Sequence, residues 1–102
     1  MTIDEGYIKY VSHWTDAPLP NPEVVTDLER WRGPLHAAGL VGHYDDLDVG
    51  FGNISVRAGE PGQFVISGTQ TGHLEHTTID HYALVTKADI EGNAVWSTGS
   101  SR

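Results

Sequence analysis

The chain has 102 residues, a size that accommodates one domain with a modest core. Hydrophobic residues make up 38%, and fourteen acidic against six basic side chains leave a formal net charge of −8, which excludes the cationic footprint that nucleic acid or an anionic membrane surface demands. With no cysteine there is no disulfide or thiolate metal site, and neither a membrane-spanning apolar run nor a secretory leader pattern is present, so the expected location is cytoplasmic.

Residues 7–14 are rich in β-formers and predict a strand, followed by a linker over 15–22 that carries Pro18, Pro20 and Pro22; together residues 1–20 form an N-terminal strand and linker. A helix is expected over 21–39. Asn21 caps it, Pro22 suits its first position, and Glu23 favours the positive end of its dipole. Val24, Leu28, Trp31 and Leu35 recur at helical spacing on one face. Pro34 removes a backbone donor, so a kink or break is expected there, and Gly39 is the expected stop.

Residues 40–49 read as an irregular, acidic connection. Two strands follow over 51–57 and 63–67, joined by the Gly- and Pro-containing loop 58–62. Phe64, Val65 and Ile66 are apolar on both faces, which predicts a central strand covered on both sides. Thr77 with Asp80 resembles a capping box that opens one helical turn. Residues 82–90 and 94–98 are β-rich and flank the turn sequence Glu91-Gly92-Asn93. Residues 50–99 thus hold two hairpins with an intervening turn of helix, in a mixed or antiparallel sheet with helical cover.

Two strand ends carry the candidate chemistry. Gly50-Phe51-Gly52-Asn53-Ile54-Ser55-Val56-Arg57 places glycines and Asn53 at the mouth of a strand, and Phe64-Val65-Ile66-Ser67-Gly68-Thr69-Gln70-Thr71-Gly72 runs from an apolar strand into small hydroxyl residues and glycine. Glycine permits close backbone approach, and Asn, Ser and Thr offer short neutral hydrogen-bonding groups, a combination suited to an anion or a sugar hydroxyl. Each residue also has a plainer reading as a turn former that satisfies its own backbone. His73, His76 and His81 invite a zinc site but lie on a loop and short turn with no reason to converge. His13, His36 and His43 stand alone, and Asp45, Asp46 and Asp48 read as a solvated acidic loop without a calcium-loop pattern. Trp14, Trp31 and Trp96 are expected to anchor the core or an interface. There is no nucleophile elbow, Walker loop or complete dinucleotide motif.

The same two segments, with His81-Tyr82-Ala83-Leu84-Val85 and the Leu28–Leu40 helix region before them, resemble the class II aldolase/adducin domain over roughly residues 6–99. The resemblance implies a three-layer α/β/α fold around a mostly antiparallel sheet. It implies an enzyme class that is zinc-dependent, acts as lyase or isomerase on small sugar phosphates through an enediolate, and assembles as homotetramers. A phosphate cradle would involve Gly52, Asn53, Ser67, Gly68, Thr69 and Gln70. The family's acid/base Glu and zinc-binding His set have no match here: Ser100 and Ser101 follow Gly99 too closely, Arg102 stands where Glu is expected, and His73, His76 and His81 are not at ligand positions. The expectation is therefore the N-terminal part of such a domain, with no catalytic or metal residue, inactive alone and prone to self-associate. Phosphate or a sugar phosphate is the expected ligand. The alternative is an adducin-like, non-catalytic binding or assembly module.

Overall fold

The computed structural model describes residues 10–68 and 71–100. In chain order the elements are β1 (Val11–Asp16), α1 (Glu23–Ala37), β2 (Gly42–Tyr44), β3 (Val49–Phe51), β4 (Ser55–Arg57), β5 (Phe64–Ser67), a 3-10 turn (Ile79–His81), β6 (Tyr82–Asp89) and β7 (Ala94–Gly99). Five strands make one sheet in the order β1-β7-β6-β5-β4. β1 runs parallel to β7 and the other neighbours are antiparallel. β2 and β3 form a separate antiparallel ribbon. No helix among the described residues is long and apolar enough to cross a membrane.

Helix α1 starts one residue after Pro22, whose φ of −64° suits a helix entrance. Asn21 contributes its carbonyl to the Val24 N–H and no side-chain cap forms, which corrects the expected Asn21 cap. Pro34 does not break the helix, which continues to Ala37. Gly33 removes one of the obstacles. The crowding that keeps a pre-proline residue out of the helical region involves that residue's Cβ, and Gly33 has none. The end is a Schellman motif: Gly39 has φ +77°, its N–H bonds to His36, and the Leu40 N–H reaches back to Leu35.

The buried stripe of α1 is Val25, Leu28 and Arg32, while Trp31 is 67% exposed. The helix is thus rotated relative to the face marked by Val24 and Trp31, and neither Trp14 nor Trp96 is buried either. Val25 and Leu28 join Leu19, Val65, Tyr82 and Leu84 in the core, on one face of the sheet. The opposite face carries Phe64, Ile66, Ala83, Val85 and Val95, which line an open groove.

That arrangement overturns the expected three-layer α/β/α fold. A third layer needs helices on both faces of the sheet. Among the described residues α1 is the only α-helix, and it packs on the Val65 face. The thin axis of the molecule is 20 Å, room for two layers at about 10 Å each. The fold is a mostly-β, two-layer one. For the same reason β5 is covered on one side only: Val65 is 0% exposed, whereas Phe64 and Ile66 are half-buried.

Two local expectations also change. Residues 42–51 are a hairpin rather than an irregular connection, and the strand expected over 51–57 is interrupted between β3 and β4. The interruption is at Gly52, where φ is +82° and a Cβ would collide with the Leu40 carbonyl oxygen and lie 2.9 Å from Val41 Cα. The capping box falls one residue later than expected, on Thr78 and His81: the Thr78 N–H donates to His81 Nδ1 at 2.9 Å, and the Asp80 N–H donates to Thr78 Oγ1 at 3.3 Å.

Candidate functional site

The two strand ends do meet. Gly52 and Asn53 leave β3 as Ser67 and Gly68 leave β5, and Ser67 is the hinge between them. Its hydroxyl oxygen accepts from the Ile54 N–H at 3.1 Å, while its one proton goes to Asn53 Oδ1 at 3.0 Å. The Asn53 amide oxygen thus faces Ser67 and takes the hydroxyl's one hydrogen, while the hydroxyl oxygen takes the Ile54 N–H. The Asn53 amide NH2 is therefore turned outward, with no acceptor among the described residues. Ser67 is 5% exposed and Asn53 is exposed, so a buried hydroxyl orients a surface amide.

Both residues lie at the rim of the groove on the open sheet face, a volume of about 350 Å³. Its floor is apolar, and Ser12, Asn93 and Ser97 add neutral polar groups. Gly68 is buried, and its N–H already donates to the His81 carbonyl at 2.7 Å, so it offers no donor to a ligand. Gly52 is fixed by its close approach to Leu40 and Val41. Of the six cradle residues, the structure joins Asn53 with Ser67, places Gly52 and Gly68 beside them in structural roles, and leaves Thr69 and Gln70 outside the described residues.

Behind this pair lies a second layer that the sequence did not announce. Thr71 Oγ1 donates to the Gly68 carbonyl at 2.9 Å, closing the turn after β5. The Thr71 carbonyl in turn accepts from Arg32 Nη2 at 2.8 Å, and Arg32 Nη1 reaches the Leu74 carbonyl at 2.7 Å and that of Glu75 at 3.3 Å. Arg32 is 1% exposed and makes no ion pair with any described carboxylate. The signal available in the sequence was its position, four residues after Leu28 and seven after Val25, on the buried stripe.

Glu29, one turn earlier on α1, holds the next part of the same segment. Its carboxylate accepts from the Thr77 N–H at 3.1 Å and from Thr77 Oγ1 at 2.9 Å. Since Thr77 gives its proton to the carboxylate, the 2.8 Å contact between Thr77 Oγ1 and Tyr82 Oη must have the tyrosine as donor. Burial raises the Tyr82 phenol above its ordinary pKa of 10.0, opposed by the bond to Thr77 and assisted by the nearby Glu29 charge, which keeps that proton in place.

The histidines do not converge. His43 lies between Asp45, 2.8 Å from Nδ1, and Asp48, 3.1 Å from Nε2, with its ring edge-on to His73 at 5.7 Å. His76 is 3.9 Å from Glu29, His81 serves the capping box, and His13 stacks on Trp96 at 4.7 Å. Among the described residues no three His, Asp or Glu side chains are grouped to hold a metal ion. Comparison with known protein families, curated proteins and solved structures finds no match.

Proposed function

We propose that the chain is a small-molecule binding unit of class II aldolase/adducin type, in which the Asn53 amide, oriented by Ser67, donates to an oxygen of a phosphate or a sugar hydroxyl. The Ile54–Ser67–Asn53 relay carries the reading, because it presents a donor in one fixed sense beside a groove. The motif resemblance falls on the same residues. The described groove lining includes no carboxylate or imidazole, which supports binding rather than acid/base chemistry at this site. Zinc-dependent lyase or isomerase chemistry on sugar phosphates is what the resemblance implies for a complete relative; no residue of this chain is proposed for it.

The test is a titration of the isotopically labelled protein with inorganic phosphate and ribose 5-phosphate, read at the Asn53 side-chain amide. Those resonances should move with saturation. Asn53→Ala should weaken binding roughly tenfold or more, the range for a hydrogen bond to a charged group. Ser67→Ala should weaken it less, by freeing the amide to turn. An unmoved Asn53 amide, or an Asn53→Ala protein that binds as the parent does, overturns the reading. A second reading, an assembly module, is favoured by one observation: the apolar groove itself.

A further inference from the structure

Helix α1 leaves one large aromatic side chain outside. Trp31 is 67% exposed, on the flank of the helix that lies beside β4. With Ile54 and Val56 it gives an open groove between helix and strand its apolar lining. β4 is the edge strand of the five-stranded sheet. The Ser67 N–H donates to the Ile54 carbonyl at 3.0 Å and the Ala58 N–H to the Gln63 carbonyl at 3.3 Å, so Ile54 and Ala58 turn their backbone toward β5. Bonding direction alternates along an antiparallel ladder, so Ser55 and Arg57 turn their N–H and C=O groups away from β5, out of the sheet's edge. Side chains alternate as well. Ile54 and Val56 pack on the core side, whereas Ser55 and Arg57 stand beside Ile66 and Phe64 on the opposite face.

Charge at this edge runs against the chain's net charge of −8. The exposed basic side chains among the described residues are Arg30, Arg57 and Lys87. Lys87 is engaged elsewhere, 4.6 Å over the Trp96 ring. Arg30 lines the groove, and Arg57 ends β4. Two carboxylates are close in sequence. Asp27 also lines the groove and reaches Arg30 at 3.7 Å, with both side chains open to solvent. Glu60 lies in the loop after Arg57, and neither it nor Arg57 enters a described ion pair.

We propose that the β4 edge, with Trp31 beside it, is a docking site for an extended acidic segment of another protein, which adds to the sheet as a further strand. The segment's backbone bonds to the outward N–H and C=O groups of Ser55 and Arg57. Alternation then sorts its side chains. An apolar one falls against Val56 and Trp31, and its two neighbours fall on the other face beside Ser55 and Arg57. An acidic residue suits the place next to the Arg57 guanidinium. The pattern recognised is therefore acidic, apolar, acidic along an extended chain, anchored by the side chain type most often found at the centre of binding energy. This site uses neither Asn53 nor the groove on the opposite face, so it goes beyond the binding reading above and does not depend on it.

The experiment titrates the 102-residue chain into two labelled, end-blocked hexapeptides, one alternating glutamate with valine and one alternating lysine with valine, read by fluorescence anisotropy. The parent should bind the glutamate peptide about fivefold or more tighter, by a margin that narrows with added salt. Binding should slow hydrogen exchange at the Ser55 and Arg57 amides. Trp31→Ala should weaken the glutamate peptide about tenfold or more, with an unchanged circular dichroism spectrum because the ring is exposed. Arg57→Glu should reverse the preference toward the lysine peptide. The two-peptide comparison on the parent stands whether or not a variant folds. Equal binding of the two peptides, binding of neither, or a Trp31→Ala protein that binds as the parent does overturns the inference. Binding that leaves the Ser55 and Arg57 amides exchanging as before is a charge contact without an added strand, and overturns it too. Sedimentation of the peptide-free proteins tests the other occupant: if Trp31→Ala alone abolishes self-association, the edge belongs to a second copy of the chain and the inference is overturned.

Discussion

His43 has a carboxylate on each ring nitrogen, Asp45 at Nδ1 and Asp48 at Nε2. A neutral imidazole has one N–H, so only the imidazolium can donate to both. Asp45 raises the His43 pKa above 6.5, against partial desolvation and with help from Asp48. Because the folded-state value is the higher one, the stabilisation is complete below 6.5 and is lost as pH rises through the raised value. The turn at residues 45–48, where Asp48 has φ +51°, should therefore loosen with rising pH. Amide exchange of that turn, followed through the His43 titration, should show this, and His43→Asn should abolish it; exchange independent of pH after correction for intrinsic rates would refute the device. The facing groups are Asp45 and Asp48 of its own turn and His73 from the next segment. At this scale the sequence was partly legible. Asn53 and Ser67 stood out because small polar residues at strand ends have few other uses. Arg32 did not, because a lone arginine on a helix reads as solvated until its partners, three carbonyls more than 38 positions away, are brought to it.

Among the elements, α1 shows how one residue can cancel another. Proline inside a helix signals a break, and the glycine before it normally strengthens that signal. Here Gly33 relieves the crowding that Pro34 imposes, and, its chain neighbours and the helix's own backbone aside, no atom lies within 4 Å of where a Gly33 Cβ would stand. Replacing glycine by alanine in a helix ordinarily stabilises by about 1 kcal/mol. Gly33→Ala should therefore fail to stabilise, whereas the same change made on top of Pro34→Ala should recover that gain, as measured by urea unfolding of the four proteins. Additive behaviour across the cycle would sink the explanation. The β2–β3 hairpin was hidden for another reason: its strands are three residues each, too short for a period-2 pattern, and the acidic turn between them dominates the composition. The hairpin around Glu91-Gly92-Asn93 was visible because Asn93 sits at φ +51°, a conformation its sequence context advertises.

For the molecule as a whole, the open face of the sheet is the dominant fact. Phe64, Ile66 and Val95 remain half-buried beside the buried floor of Ala83 and Val85. We expect the purified 102-residue chain to self-associate or to melt with low cooperativity. Sedimentation at several concentrations and calorimetry should show it; a monodisperse monomer with a sharp two-state transition would contradict it. The expectation of helices on both faces came from motif likeness, not from periodicity, since helical spacing is evident in one segment only. A final consequence follows from the β1–β7 pairing. The Trp14 indole N–H donates to the Gly99 carbonyl 85 residues away, within a parallel edge pairing that no turn can template. The hairpins β4–β5 and β6–β7 close over short loops, but β1 must find its place across nearly the whole chain. We expect it to dock after the two hairpins, so that the slow step of folding closes the sheet at the edge opposite β4.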